Sequence, residues 1–268
     1  MATAKDIHVA RIAAADARRL VARLHYSGKF VGNSQLHFGV FLAGRCEGVM
    51  SFGPSMDKRK IQGIVTGTAW NGFCELNRMA FSDRLPRNSE SRALGVALRQ
   101  LRADSPHVEW VVSFADGTQC GDGTIYRAAG FVLTGITPNK TIYRMPSGAV
   151  LAKMTLEANW NQPAVAAECA HLGVPVAPRS VAEWKRLGAV CLPGHMFRYV
   201  YFLNPAARAR LAVPALPFSK IAELGAGMYR GQPITRDKHA MAAIPAAQRR
   251  GSADHPAPYP AGAPGPSP

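Results

Sequence analysis

Apolar and polar positions alternate along this chain with two periods, and each stretch declares an element. Residues 12–26 place Ala, Leu and Val at helical spacing with arginines opposite, and Gly28 closes the segment, so a helix is predicted there. Residues 36–43 and 46–52 are short apolar runs broken by Gly44-Arg45, a hairpin signal. Residues 54–72 are rich in Gly, Lys and Arg and read as a loop. Residues 73–81 (FCELNRMAF) alternate as a strand, and Pro86 and Asn88 announce a helix over 89–103 with Asn88 as its N-cap. The β-branched run near 108–114 predicts a buried strand. A short helix follows at 123–129, stopped by Gly130. Strands are predicted at 131–136 and 140–145, around a Thr-Pro-Asn-Lys turn.

The order of strands and helices predicts a mixed α/β domain built on one sheet. After about 147 the pattern changes. Residues 155–172 and 180–188 read as helices, the second with Ser180 as N-cap. Residues 196–203 (MFRYVYFL) form an isolated strand that most simply joins the earlier sheet, which makes 148–194 an insertion into a domain spanning 1–220. A C-terminal extension follows at 221–250. From 251 the chain holds six of its 20 prolines and reads as a disordered tail.

Composition sharpens this picture. The 268 residues are 47% hydrophobic, enough for a packed core. The five cysteines form no Cys-x-x-Cys pair, which argues against a disulfide framework or a zinc ribbon. The N-terminus is charged and no apolar run reaches membrane-span length, so the expected setting is a reducing cytoplasm. The 32 Lys+Arg against 17 Asp+Glu give +15, spread through the chain, and a polyanion such as nucleic acid is the expected partner.

Within that frame, seven features carry chemistry. Arg92-Ala93-Leu94-Gly95-Val96-Ala97 fits R/Q-x-x-G-x-G/A, a pattern whose helix N-terminus holds a pyrophosphate and whose glycine permits close backbone approach. Tyr126 precedes Gly130 on a short helix, where a phenol can protonate a leaving thiolate or simply pack. Asp116 ends a strand ahead of a Gly-bearing loop, a candidate base, with Asp122 as the runner-up. His25 closes the first helix, where it serves proton transfer or a dipole contact. Lys58, Arg59 and Lys60 form a basic run suited to DNA phosphate. Cys120 is a weaker candidate nucleophile, because no paired histidine is evident. Glu75 and Asn77 alternate with Leu76 and Arg78 along the strand, one pair to each side, and need polar partners.

Several blocks together resemble the Mom DNA-modification proteins of phage Mu and its relatives. They are His25-Tyr26-Ser27-Gly28-Lys29-Phe30, FGPSMDKRK (52–60), ELNRMAFSDRLPRNSESRA (75–93), SFADGTQCGDGTIYRAAGF (113–131) and YVYFLNPAARARLAVPALPF (199–218). The resemblance covers roughly 20–220. It implies a GCN5-related N-acetyltransferase fold: a mixed central sheet flanked by helices, here with a helical insertion. It implies conversion of adenine in duplex DNA to N6-(carbamoylmethyl)adenine, which shields phage DNA from restriction in the bacterial cytoplasm. By motif position, His25, Tyr26, Asp116 and Tyr126 fall at the family's active-site positions. Arg92, Gly95 and Ala97, with Asn88, Ser89 and Ser91, would line an acetyl-CoA or related acyl-CoA site. Iron held by His25 and Asp116 is a further expectation of the unusual product. Two readings stand beside this one: an ordinary acyl-CoA N-acetyltransferase of a protein or small amine, and a non-catalytic DNA-binding protein on the same fold.

Overall fold

The structure, a computed structural model, describes residues 2–158, 162–229 and 232–233. In chain order its elements are β1 (His8–Arg11), α1 (Ala14–Leu24), β2 (Leu36–Leu42), β3 (Arg45–Gly53), α2 (Lys58–Gln62), β4 (Phe73–Phe81), α3 (Ser89–Asp104), β5 (Trp110–Asp116) and α4 (Thr124–Ala128). There follow β6 (Val132–Pro138), β7 (Ile142–Arg144), β8 (Val150–Ala152), α5 (Lys153–Glu157), α6 (Pro163–Leu172), α7 (Val181–Arg186), β9 (Val190–Cys191), β10 (His195–Phe202) and α8 (Ser219–Glu223). The tail 251–268 and most of the extension lie outside the described residues.

Seven strands form one sheet in the order β1-β2-β3-β4-β5-β10-β6. Every pairing is antiparallel except β4 with β5. The β2–β3 turn is made by Ala43 and Gly44, both at positive φ (48° and 77°), as a two-residue hairpin with right-handed twist requires. The two faces of the sheet carry different helices. Val49 and Ala80 pack under α1 with Ala17, Leu20 and Val21. Met50, Phe52 and Leu76 pack under α3 with Leu94, Ala97, Leu98 and Leu101. Val49 and Met50 are neighbours on one strand, so alternation sends these two clusters to opposite faces. As the sequence predicts, β10 joins the main sheet, between β5 and β6.

The strand read at 140–145 does not. It becomes β7, which pairs with β8 and β9 in a separate three-stranded sheet. Its own core gathers Tyr143, Leu151, Leu156, Val165, Cys169 and Trp184. The helix read at 155–172 is two helices, and the loop read at 54–72 contains α2. The segment from 139 to 194 thus builds a satellite between β6 and β10. Asn139 pins its two ends together. Its Nδ2 donates to the carbonyls of Ile142 (3.1 Å) and Leu192 (2.8 Å), and its Oδ1 accepts from the amides of Thr141 (2.9 Å) and Ile142 (3.1 Å).

Candidate functional site

Two irregularities in the sheet make the site. The first is the parallel pair: β4 and β5 match only at Phe73–Glu75 with Trp110–Val112, and beyond that point they part. Strands that separate leave peptide groups and side chains facing a gap, the usual opening for a ligand. The second is a bulge. The register between β3 and β4 slips where Ser51 faces Arg78 but Phe52 faces Leu76, so Asn77 is the extra residue. Leu76 faces α3 while Ala80 faces α1. Unbroken alternation over four residues would put both on one side. The bulge therefore turns Arg78, two residues before Ala80, toward α1. The sequence reading had set Glu75 and Arg78 on opposite sides; the bulge gathers them instead.

At the α1 side, the C-terminal cap of α1 is His25, with Tyr26 directly after it. The two rings stack at 4.3 Å between centroids. Tyr26 donates from its hydroxyl to Oδ2 of Asp116 at 3.3 Å. Asp116, the last residue of β5, also accepts from the Thr118 amide (2.8 Å) and the Gln119 side-chain amide (3.0 Å). Arg78 donates from Nε to the Lys29 carbonyl (2.8 Å), which fixes the guanidinium beside the turn that follows Tyr26. Ser34 donates to Oδ1 of the bulged Asn77 at 3.0 Å.

The electrostatics of this cluster are specific. Burial, assisted by the positive charge of Arg78, lowers the His25 imidazole to a pKa of about 4, so it is neutral at pH 7. The Ser27 amide donates to His25 Nδ1 at 3.1 Å, which places the ring proton on Nε2. Burial and the adjacent Asp116 raise the Tyr26 phenol, although 52% of the residue is open to solvent. Burial raises the Glu75 carboxyl. Burial and Asp116 raise the Cys120 thiol, which keeps it protonated and unsuited to attack.

Tyr126 approaches the cluster from the α3 side, within electrostatic reach of Cys120 and Glu75. It is buried in the cluster under α3, with ring contacts to Phe131 and Tyr199, and burial pushes its phenol up to about 12. Asp122, the runner-up, is held in a local network. Its carboxylate accepts from the Thr124 hydroxyl (2.9 Å) and its carbonyl accepts from the Tyr199 phenol.

The residues read as a phosphate cradle fall in and around the first two turns of α3. The helix opens at Ser89, three residues before Arg92. Asn88 occupies the cap position but in a left-handed conformation (φ 69°), and its side chain makes no capping bond. The Ser89 amide donates to the Pro86 carbonyl (3.1 Å), which leaves the Glu90 and Ser91 amides without the usual side-chain acceptor. Ser89 Oγ is fully buried and has no hydrogen-bond partner among the described residues. Ser91 donates to the Asn88 carbonyl at 3.3 Å, and Arg92 is exposed. A methyl group added at Gly95 would meet only the tip of the Arg99 side chain, at 3.8 Å, so none of the described residues fills that space. Ala97 turns the other way, fully buried in the α3 core. A helix start with two uncapped amides, an orphaned hydroxyl and an open glycine suits an anionic ligand with an extended chain.

Lys58, Arg59 and Lys60 form most of α2. Lys58 lies over the Trp70 ring (4.5 Å) and donates to Asn71 Oδ1 (2.9 Å), whereas Arg59 and Lys60 are exposed. The iron expectation is not supported. His25 reaches Asp116 only through Tyr26, and among the described residues no group of three or more His, Cys, Asp or Glu side chains converges to hold a metal. Nor is any helix among them long and apolar enough to cross a membrane. The residue at this site most easily missed in sequence is Arg78, which shows there as a charge inside a strand and within the 75–93 block.

The Mom protein family model matches residues 6–220. The methylcarbamoylase mom of Escherichia phage Mu is 36% identical over 208 residues, covering 77% of this chain and 80% of the relative. Among solved structures, an IAA acetyltransferase from Bacillus cereus matches at 10% identity and a TM-score of 0.40, covering 73% of this chain and 99% of the other. A GNAT family acetyltransferase from Elizabethkingia anophelis with acetyl-CoA bound matches at 11% identity and a TM-score of 0.38, covering 74% and 98%. All the site residues described above lie within the matched span, and this chain belongs to the Mom protein family.

Proposed function

We propose that this chain converts adenine in double-stranded DNA to N6-(carbamoylmethyl)adenine in the bacterial cytoplasm, and so protects phage DNA from restriction. The observation that carries the reading is the Tyr26–Asp116 pair, flanked by His25 and Arg78 at the separation of β4 and β5, in a chain similar to the methylcarbamoylase of phage Mu.

Adenine N6 is a weak nucleophile, because its lone pair is delocalised into the ring. A base must take a proton as the new bond forms. His25 is poorly placed for that work: its Nδ1 already accepts from Ser27, and its Nε2 carries a proton. Asp116 is the better base, with a carboxylate that Thr118 and Gln119 hold in place. Tyr26, half open to solvent and bonded to that carboxylate, is positioned to stack on an adenine while Asp116 takes the N6 proton. The neutral Nε2–H of His25 is a donor for an acceptor atom of the base or of the incoming group. Tyr126, its phenol held protonated from the other face, is a proton donor for a leaving group.

The donor is proposed to be of the acyl-CoA class. When bound, it would supply two carbons; because transfer through its carbonyl alone gives an N6-acetyl amide, the bond to the methylene carbon and the amide nitrogen call for a further, nitrogen-bearing co-substrate. Asn88, Ser89, Ser91, Arg92 and Gly95 would hold its phosphates at the start of α3, while Ala97 seats the helix in the core. Arg59 and Lys60 are free to face the DNA backbone, with Lys58 braced on Trp70.

The test is expression of the chain with a plasmid, digestion of the DNA to nucleosides, and mass spectrometry. A carbamoylmethyl adduct on adenosine is the expected result. An N6-acetyl adduct would make the chain a plain acetyltransferase of DNA. Unmodified adenosine under good expression would leave the alternatives: transfer to a protein or small amine, or DNA binding without chemistry.

A further inference from the structure

The loop between β3 and β4 is rooted in the site and then leaves it within one residue. Gly53 is packed so closely that an added methyl would lie 2.7 Å from the Asn33 carbonyl and 2.8 Å from Asn77 Oδ1. The Pro54 carbonyl accepts from the side chains of Asn33 and Asn77, both at 3.4 Å. Ser55 is buried and bonds to Glu75. Three successive residues are thus fixed against the bulge of β4. The next, Met56, is 64% exposed. One helical turn further stand Arg59 and Lys60, exposed and in none of the ion pairs of the described residues.

A lone exposed methionine is ordinary. This one is an unbranched apolar side chain on a rigid root, between the site and two free cations. Taking a base out of duplex DNA opens a gap in the stack, and an apolar side chain that fills it offsets the lost stacking. Cations on the neighbouring phosphates set the depth of entry. We propose that Met56 is the wedge that enters the base stack when the target adenine leaves it, with Arg59 and Lys60 holding the backbone beside it. This rests on the DNA-adenine reading given above.

The experiment uses the full chain and duplexes of a sequence that it modifies in a plasmid, with fluorescent 2-aminopurine in place of the target adenine. Emission rises when that base unstacks. Wild-type protein is expected to raise it. Met56→Ala should bind the duplex within about threefold of wild type yet lose most of the rise, and Met56→Phe should recover it. Arg59→Ala with Lys60→Ala should instead weaken binding and flatten the salt dependence by about two phosphate contacts. Met154→Ala, which removes a second methionine that is 65% exposed, should behave as wild type. Full emission from Met56→Ala, no rise from the wild type, equal loss of affinity and emission, or a loss confined to Met154→Ala would each overturn the assignment. Failure of the DNA-adenine reading shows separately, as unmodified plasmid adenine.

Discussion

Tyr26 and Asp116 lie 90 positions apart in sequence, yet a 3.3 Å hydrogen bond joins them where α1 ends and β5 stops. The pair separates two roles for the phenol. Tyr26→Phe keeps the ring for stacking and removes the hydroxyl. Asp116→Asn keeps the shape and removes the base. Adduct formation should fall by about 10²-fold or more in Asp116→Asn, with DNA affinity unchanged, and by less in Tyr26→Phe. Mass spectrometry of nucleosides with a parallel binding titration checks both. Full activity in Asp116→Asn would remove the carboxylate from the chemistry.

His25 gives a prediction with a definite sign. Its folded pKa of about 4 lies below the unfolded value of about 6.5, so the unfolded chain binds this proton more readily. The contribution to stability is complete above pH 6.5 and is lost as pH falls toward 4. An imidazole titration by NMR should show no protonation of His25 between pH 8 and 5, and His25→Gln should reduce the loss of stability over that window. A midpoint near 6.5 would mean that the imidazole is solvated, and the argument for its neutral donor role would go with it.

Gly95 separates folding from ligand binding. Within a helix, with open space above it, Gly95→Ala should stabilise the fold by about 0.5–1 kcal/mol. If the α3 N-terminus cradles a CoA-class donor, the same methyl should weaken CoA binding in a calorimetric titration. Higher stability with undiminished CoA affinity would place the donor elsewhere.

Local order was legible in the sequence, and geometry across strands was not. The bounds of β4 and α3 follow from alternation and from the Pro86–Asn88 break. Strand β1 was missed because four residues with only Val9 buried carry too little pattern. The departure of β7 from the main sheet was hidden, since a short apolar run looks the same in either sheet. The bulge at Asn77 was invisible too. It depends on register against β3, and it decides which way Arg78 points. Of the Tyr26–Asp116 pair, Asp116 stands out by its place at a strand end and Tyr26 through family resemblance, and neither signal shows that they touch. The same resemblance put Ala97 in the donor site, where helical geometry turns it into the core.

Asn139 tests whether the satellite depends on one side chain. Its amide satisfies two carbonyls and two backbone amides where the chain leaves the main sheet and returns, and the residue is buried. Asn139→Ala strands the Leu192 carbonyl and the amides of Thr141 and Ile142, while the Ile142 carbonyl keeps its bond from the Leu192 amide (3.0 Å), and should cost about 2–4 kcal/mol. Asn139→Asp keeps the two accepted bonds but sets a carboxylate against the Ile142 and Leu192 carbonyls, so it should be no milder. Hydrogen exchange should quicken at Thr141–Arg144 and Val190–Leu192 in both variants. Exchange across the α1–β4 packing should stay slow, because those contacts belong to a separate core. Uniform loss of protection would instead mean that the satellite and the main sheet unfold as one unit.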